Sequence, residues 1–147
     1  GGSVDITVGS DPVPPDPEVP FEDCLARFRE KGLPFTRIMA SSDSNGSMPV
    51  FDEAGRLVRL AIATEKDLWR KFGDIVRKGL VPLETAVRVF ATNAAEFYKL
   101  GRKGRIEAGR DADLVIAGPG LELTDVFARG RRMMAGGRVI ARGTFSA

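Results

Sequence analysis

The stretch TRIMASSDSNGS, residues 36–47, runs from an apolar segment into small, polar, turn-prone residues with a single carboxylate, Asp43, among them. Ser, Asn, Asp and Gly cluster at turns for backbone reasons alone, so Asp43 is read either as a turn residue or as a carboxylate presented at the end of a strand. What precedes the stretch bears on that choice. Phe21, Cys24, Leu25 and Phe28 recur at helical spacing, with charged residues elsewhere around the turn. Acidic residues fall in the first turn of this helix and basic ones in its last, and Gly32 can supply a left-handed cap. Further upstream, VDITV (residues 4–8) alternates apolar and polar residues with the period of a strand. Strand, helix, strand is a βαβ unit, which predicts two parallel strands joined by a right-handed crossover. Between the first strand and the helix, prolines at 12, 14, 15, 17 and 20 exclude helix and central strand and predict a long loop.

Downstream, PVFDEAGRLVRLAIA (residues 49–63) predicts a loop or hairpin around DEAG. Thr64 is placed to cap the next helix, with Asp67 as its capping-box partner. Leu68, Phe72, Ile75 and Val76 line one face of that helix beside Trp69. Pro82 suits a first helical position, and Leu83, Ala86, Val87, Phe90 and Ala91 form the expected next stripe. TNAAEFYKLG then predicts a restarted short helix, with Asn93 and Glu96 at capping-box spacing. After Gly101 the runs ADLVIA, DVFAR and RVIAR, separated by glycine-containing turns, predict a small antiparallel β module of three or four strands. So few strands leave pairable edges unless another chain or segment covers them.

With 147 residues and 43% hydrophobic content, the chain can bury one ordinary core. Its 22 basic and 20 acidic residues are interspersed, which argues against nucleic acid as a partner. GRKGR and ARGRR carry few charges each and read as solvated turns. The single Cys24 cannot form an internal disulfide, fits a reducing compartment and is expected to pack in the core. No apolar run approaches the ~20 residues of a membrane span, and GGSVDIT has no secretory pattern, so a cytoplasmic protein is expected. The chain has no histidine, the usual base near neutral pH and the commonest ligand of catalytic zinc.

An EF-hand reading of DSNGS fails, because Met48 and Ala54 stand where that loop needs Gly and Glu. A phosphate-loop reading of SNGS lacks the lysine and the glycine spacing. GRIEAGRDADLVIAGP, residues 104–119, is more specific. Its Gly104, Ile106, Gly109, Ala112, Asp113 and Leu114 resemble the segment that follows the barrel in metal-dependent amidohydrolases. ATNAAEFYKLG resembles the last helix of that family. Within it, SSDSNGSMPVFDEAGRL and VFARGRRMMAGGRVIARGTF look most like isoaspartyl (β-aspartyl) dipeptidases, with Ser44 standing where Gly is expected.

The resemblance implies an α/β fold: the C-terminal fragment of a (β/α)8 TIM barrel over residues 1–101, and strands of a small β-sandwich domain over residues 102–147. VDITV would be barrel strand seven and TRIMA strand eight, which would put Asp43 on the face where barrel active sites assemble. It further implies a binuclear zinc site to which Asp43 contributes a ligand, the same carboxylate taking the proton of the attacking water. Ser47 would hold the carboxylate of a β-aspartyl dipeptide substrate, while Asn45 and Gly46 shape the loop. The zinc-binding histidines are not in this sequence, so the isolated chain is expected to be inactive, with zinc below stoichiometry and with the N-terminal portion of the enzyme or another copy as partner. Two alternatives stay open: a non-catalytic fragment or β-edge interaction module, and another cyclic-amide amidohydrolase or deaminase.

Overall fold

A computed structural model describes residues 2–8 and 19–142, so the expected proline-rich loop lies largely outside the described residues. The chain divides into two units, Gly1–Ala94 and Ala95–Ala147.

In the first unit, β1 (Val4–Thr7) pairs in parallel with β2 (Ile38–Ser41), and helix α1 (Phe21–Glu30) lies between them in sequence. This is the βαβ arrangement that the two apolar patterns predict. Val4 faces Ile38 and Thr7 faces Ser41, and the Val8 N–H extends the ladder to the Ser41 carbonyl at 2.9 Å. Gly32 adopts φ +62°, the left-handed conformation that stops α1 without a Cβ clash. A single 3-10 turn, Phe35–Arg37, leads into β2.

After β2, the hairpin of β3 (Ser47–Phe51) and β4 (Leu57–Ile62) forms around DEAG. The Asp52 carboxylate accepts the N–H groups of Ala54 and Arg56 at 3.0 and 2.9 Å, closing the turn. Helix α2 (Lys66–Arg77) buries Phe72 and Ile75. Thr64 does not cap it. Instead the Asp67 carboxylate accepts from the Thr64 N–H and hydroxyl, leaving half of the expected reciprocal pair.

The next helix departs from expectation more deeply. α3 (Leu83–Val87) passes through a π-helical turn, Arg88–Thr92, directly into α4 (Asn93–Phe97), so no helix restarts at Asn93 and Asn93 caps nothing. The Asn93 N–H reaches back five residues to the Arg88 carbonyl. A π turn absorbs an extra residue and rotates everything after it. The buried residues along it are Ala86, Val89, Thr92, Asn93 and Ala95, while Leu83 and Val87 of the expected stripe, which precede the π turn, face solvent. Phe90 is half-buried and meets Phe21 and Phe72 edge-on, with ring centroids 5.4 and 5.6 Å apart. Ile38, Ile75 and Val89 are fully buried at the centre of this unit. Cys24 is half-buried rather than part of that core.

The second unit is a four-stranded antiparallel meander, β5 (Leu114–Ala117), β6 (Leu123–Ala128), β7 (Arg131–Ala135) and β8 (Arg138–Val139). RRMMA, which lacks an alternating pattern, forms the strand that the sequence did not signal, and RVIAR contributes only two residues. The GRDADL segment ahead of β5 is a junction. Asp111 pairs with Arg102 at 2.7 Å and Lys103 at 3.1 Å, Asp113 pairs with Lys103, and the Asp113 carboxylate accepts the Arg129 N–H at 2.7 Å. The basic run GRKGR is therefore solvated but paired with carboxylates. Among the described residues no helix is long and apolar enough to cross a membrane.

Candidate active site

Because β1 and β2 are parallel, their carboxyl ends lie on one side, and Asp43 follows the last residue of β2 by two positions. The strand delivers its chain into a tight turn closed by the Gly46 N–H donating to the Asp43 carbonyl at 2.8 Å. Asp43 and Asn45 have φ of +48° and +67°, a left-handed region that Asp and Asn enter more easily than other side-chain-bearing residues. The turn is tied to the strand beyond it. The Asn45 N–H donates to the Ala63 carbonyl at 3.0 Å and the Ala63 N–H to the Gly46 carbonyl at 3.1 Å.

Asp43 is exposed, as is Ser47, which opens β3 opposite Ile62. Both candidate residues thus sit on one short hairpin entry, as near neighbours presented to solvent. Ser42, between the strand and Asp43, is buried. The turn reading and the presented-carboxylate reading of Asp43 therefore do not compete: the backbone makes a turn, and that turn exposes the carboxylate.

Two further side chains belong to this arrangement. The Ser44 hydroxyl donates to the Glu65 carboxylate at 3.1 Å, and Glu65's own backbone N–H, with that bond second to it, holds the Glu65 carboxyl below its ordinary value. Asn93 is 3% exposed and its amide donates to the carbonyls of Phe35 and Ile38, both at 2.7 Å, at the entry of β2. Neither pairing was signalled by spacing, since each joins segments at least 21 residues apart.

The described residues do not form a metal centre by themselves. Among the described residues no group of three or more His, Cys, Asp or Glu side chains could hold a metal ion, and the full sequence has no histidine.

The chain matches the amidohydrolase family over residues 22–137. It is similar to the crystal structure of a β-aspartyl dipeptidase from the thermophilic, keratin-degrading Fervidobacterium islandicum AW-1 in complex with a β-Asp-Leu dipeptide, with 29% identity and a TM-score of 0.78 over 98% of this chain. A second structure of β-aspartyl dipeptidase from that organism matches at 25% identity and a TM-score of 0.73, again over 98% of this chain. The chain spans 37% and 34% of the length of those two chains. An N-acetylglucosamine-6-phosphate deacetylase from Pasteurella multocida shares the fold at 17% identity and a TM-score of 0.61, over 88% of this chain and 36% of its own. The family match takes in Asp43, the hairpin, the π-containing helix and the GRDADL junction together, and on that match the chain belongs to the amidohydrolase family.

Proposed function

We propose that this chain is the part of a zinc-dependent hydrolase of β-aspartyl dipeptides that carries barrel strands seven and eight, with residues 102–147 as strands of the small β domain. The observation that supports this best is the likeness, over 98% of the chain, to a dipeptidase crystallised with β-Asp-Leu. On this reading Asp43 contributes one ligand to the zinc centre, whose other ligands come from outside this sequence, because one carboxylate does not make such a site. No step through the metal follows from these residues alone. What the chain's own groups do is narrower. Asp43, exposed at the carboxyl end of β2, accepts the proton of the attacking water and returns it to the leaving amine, a task suited to a carboxylate within hydrogen-bond reach of that water. Ser47 donates its hydroxyl to the substrate carboxylate. Asn45 and Gly46 shape the turn between them. The setting is cytoplasmic.

The test is reconstitution. The chain alone should not cleave β-Asp-Leu and should carry zinc below stoichiometry, and adding the remaining portion of the enzyme should restore cleavage, which Asp43→Asn should abolish. Turnover by the chain alone, or activity that survives Asp43→Asn, overturns the assignment. A second reading, a non-catalytic module that pairs with another chain, is favoured by β4, where Leu57, Val58, Leu60 and Ile62 are all exposed. Reconstitution without activity but with a stable complex would favour it.

A further inference from the structure

We infer that Asn93 is a positioning residue for Asp43, an inference that rests on the reading of Asp43 as the active carboxylate. Asn93 spends both amide N–H groups on one short stretch, the carbonyl of Phe35 at the start of the 3-10 turn and that of Ile38, the first residue of β2, each at 2.7 Å. The amide therefore marks where the turn ends and the strand begins.

At its far end the same strand is held by the Val8 N–H on Ser41, and Asp43 follows two residues later. A strand advances about 3.3 Å per residue, and a slip of one residue also exchanges its faces, so fixing the entry of β2 fixes both the height and the direction of Asp43. Asn93 follows Val89 and Ala86 on the buried face of its helix, and its own N–H bonds the Arg88 carbonyl across the π turn, so its backbone is held as well as its amide.

A packing role fits Asn93 poorly. Its Oδ1 is buried with no hydrogen-bond partner among the described residues, a cost that an apolar side chain of similar size would not carry.

The experiment uses the 147-residue chain, labelled for NMR, and then the reconstituted enzyme. In the unsubstituted chain, through-hydrogen-bond couplings should link Asn93 Nδ2 to the carbonyl carbons of Phe35 and Ile38; their absence from a folded spectrum overturns the inference. Asn93→Ala should lower the exchange protection of the Asn45 and Ala63 amides by about tenfold more than that of Leu80 at the end of α2, and Asn93→Ser, which keeps a donor, should restore part of it. Uniform loss across all three amides means a structural role only and overturns it. Should neither variant fold, urea titration of the unsubstituted chain decides: the couplings and the turn protection must fade together, ahead of Leu80, and separate transitions overturn the inference. In the reconstituted enzyme kcat should fall about tenfold with KM within about twofold. Normal couplings with no activity from the unsubstituted enzyme would sink the functional reading while leaving the clamp intact.

Discussion

A Cβ added to Gly46 would lie 2.6 Å from Asp43 Oδ2 and 2.8 Å from both its Cγ and its backbone carbonyl oxygen. The carboxylate could swing away, but the carbonyl could not, because it accepts the Gly46 N–H at 2.8 Å and closes the turn. Glycine at 46 is thus what lets Asp43 fold its side chain over its own turn. Gly46→Ala should open that turn, lowering stability by about 1–2 kcal/mol and, on the proposed function, reducing β-Asp-Leu turnover of the reconstituted enzyme by about 100-fold, the cost of a misplaced reacting group. Thermal melting and β-Asp-Leu turnover check this; a variant with unchanged turnover would remove the turn from the site's architecture.

The left-handed Asn45 makes a separate prediction. At φ +67° an alanine Cβ crowds the following carbonyl, whereas glycine does not. Asn45→Ala should cost about 1 kcal/mol and Asn45→Gly close to nothing. Equal destabilisation by both would show that the Asn45 side chain matters beyond its backbone.

Ser44→Ala should behave differently again. It deletes only the hydrogen bond to Glu65, whose carboxylate is exposed, so the melting midpoint should stay within error and Glu65 should titrate closer to its ordinary 4.5. NMR titration of the Glu65 carboxyl reads this directly, and no upward movement would mean that Ser44 does not hold it.

Lys71 and Glu22 join α2 to α1 at 2.9 Å with both side chains largely buried. Burial pushes the Glu22 carboxyl up, but the bond from the Lys71 ammonium, Glu22's own backbone N–H and the charges of Lys71 and Lys78 outweigh it and leave the group below its ordinary 4.5. A depressed carboxylate stabilises the fold fully above its unfolded value and loses that contribution as pH falls through its folded value. Glu22→Gln should therefore destabilise the chain by about 1 kcal/mol at neutral pH, and the gap to the unsubstituted chain should close below pH 4.5. Denaturant melts at several pH values measure it; a gap that persists in acid would assign the effect to packing.

How far the sequence reaches is clearest at Asp43 and Asn93. Asp43 was legible because strand period, turn chemistry and the parallel βαβ order are local patterns, and together they place a carboxylate at a strand's end. Capping-box spacing at Asn93 is local too, but the helix runs on through the π turn, and Asn93 falls on the buried face after Ala86 and Val89 rather than at a helix start. Its partners, Phe35 and Ile38, lie 58 and 55 residues away, beyond any spacing rule. RRMMA escaped notice for the opposite reason: β7 gains its place from the ladder between β6 and β8, not from alternation of its own.

The GRDADL junction yields a prediction with two pH limits. Bonds from the Lys103 ammonium and the Arg129 N–H hold the Asp113 carboxyl below its ordinary 3.8. Bonds to Asp113 and Asp111 raise Lys103 above its ordinary 10.5. The lowered acid contributes above its unfolded value and loses that contribution as pH falls further, while the raised base contributes below its unfolded value and loses that as pH rises further. The window in which the pair acts in full thus runs from 3.8 to 10.5. Asp113→Asn keeps an acceptor for the Arg129 N–H and loses the ion pair, whereas Asp113→Ala loses both. The melting midpoint should therefore fall in the order unsubstituted, Asn, Ala within that window, with the Asn variant converging on the unsubstituted chain outside it. Because these groups are exposed, added salt should shrink the Asn effect and leave the extra loss in Ala, which is a neutral hydrogen bond. Equal loss in both variants at every pH would mean that the ion pair contributes nothing and that the Arg129 turn alone holds the motif.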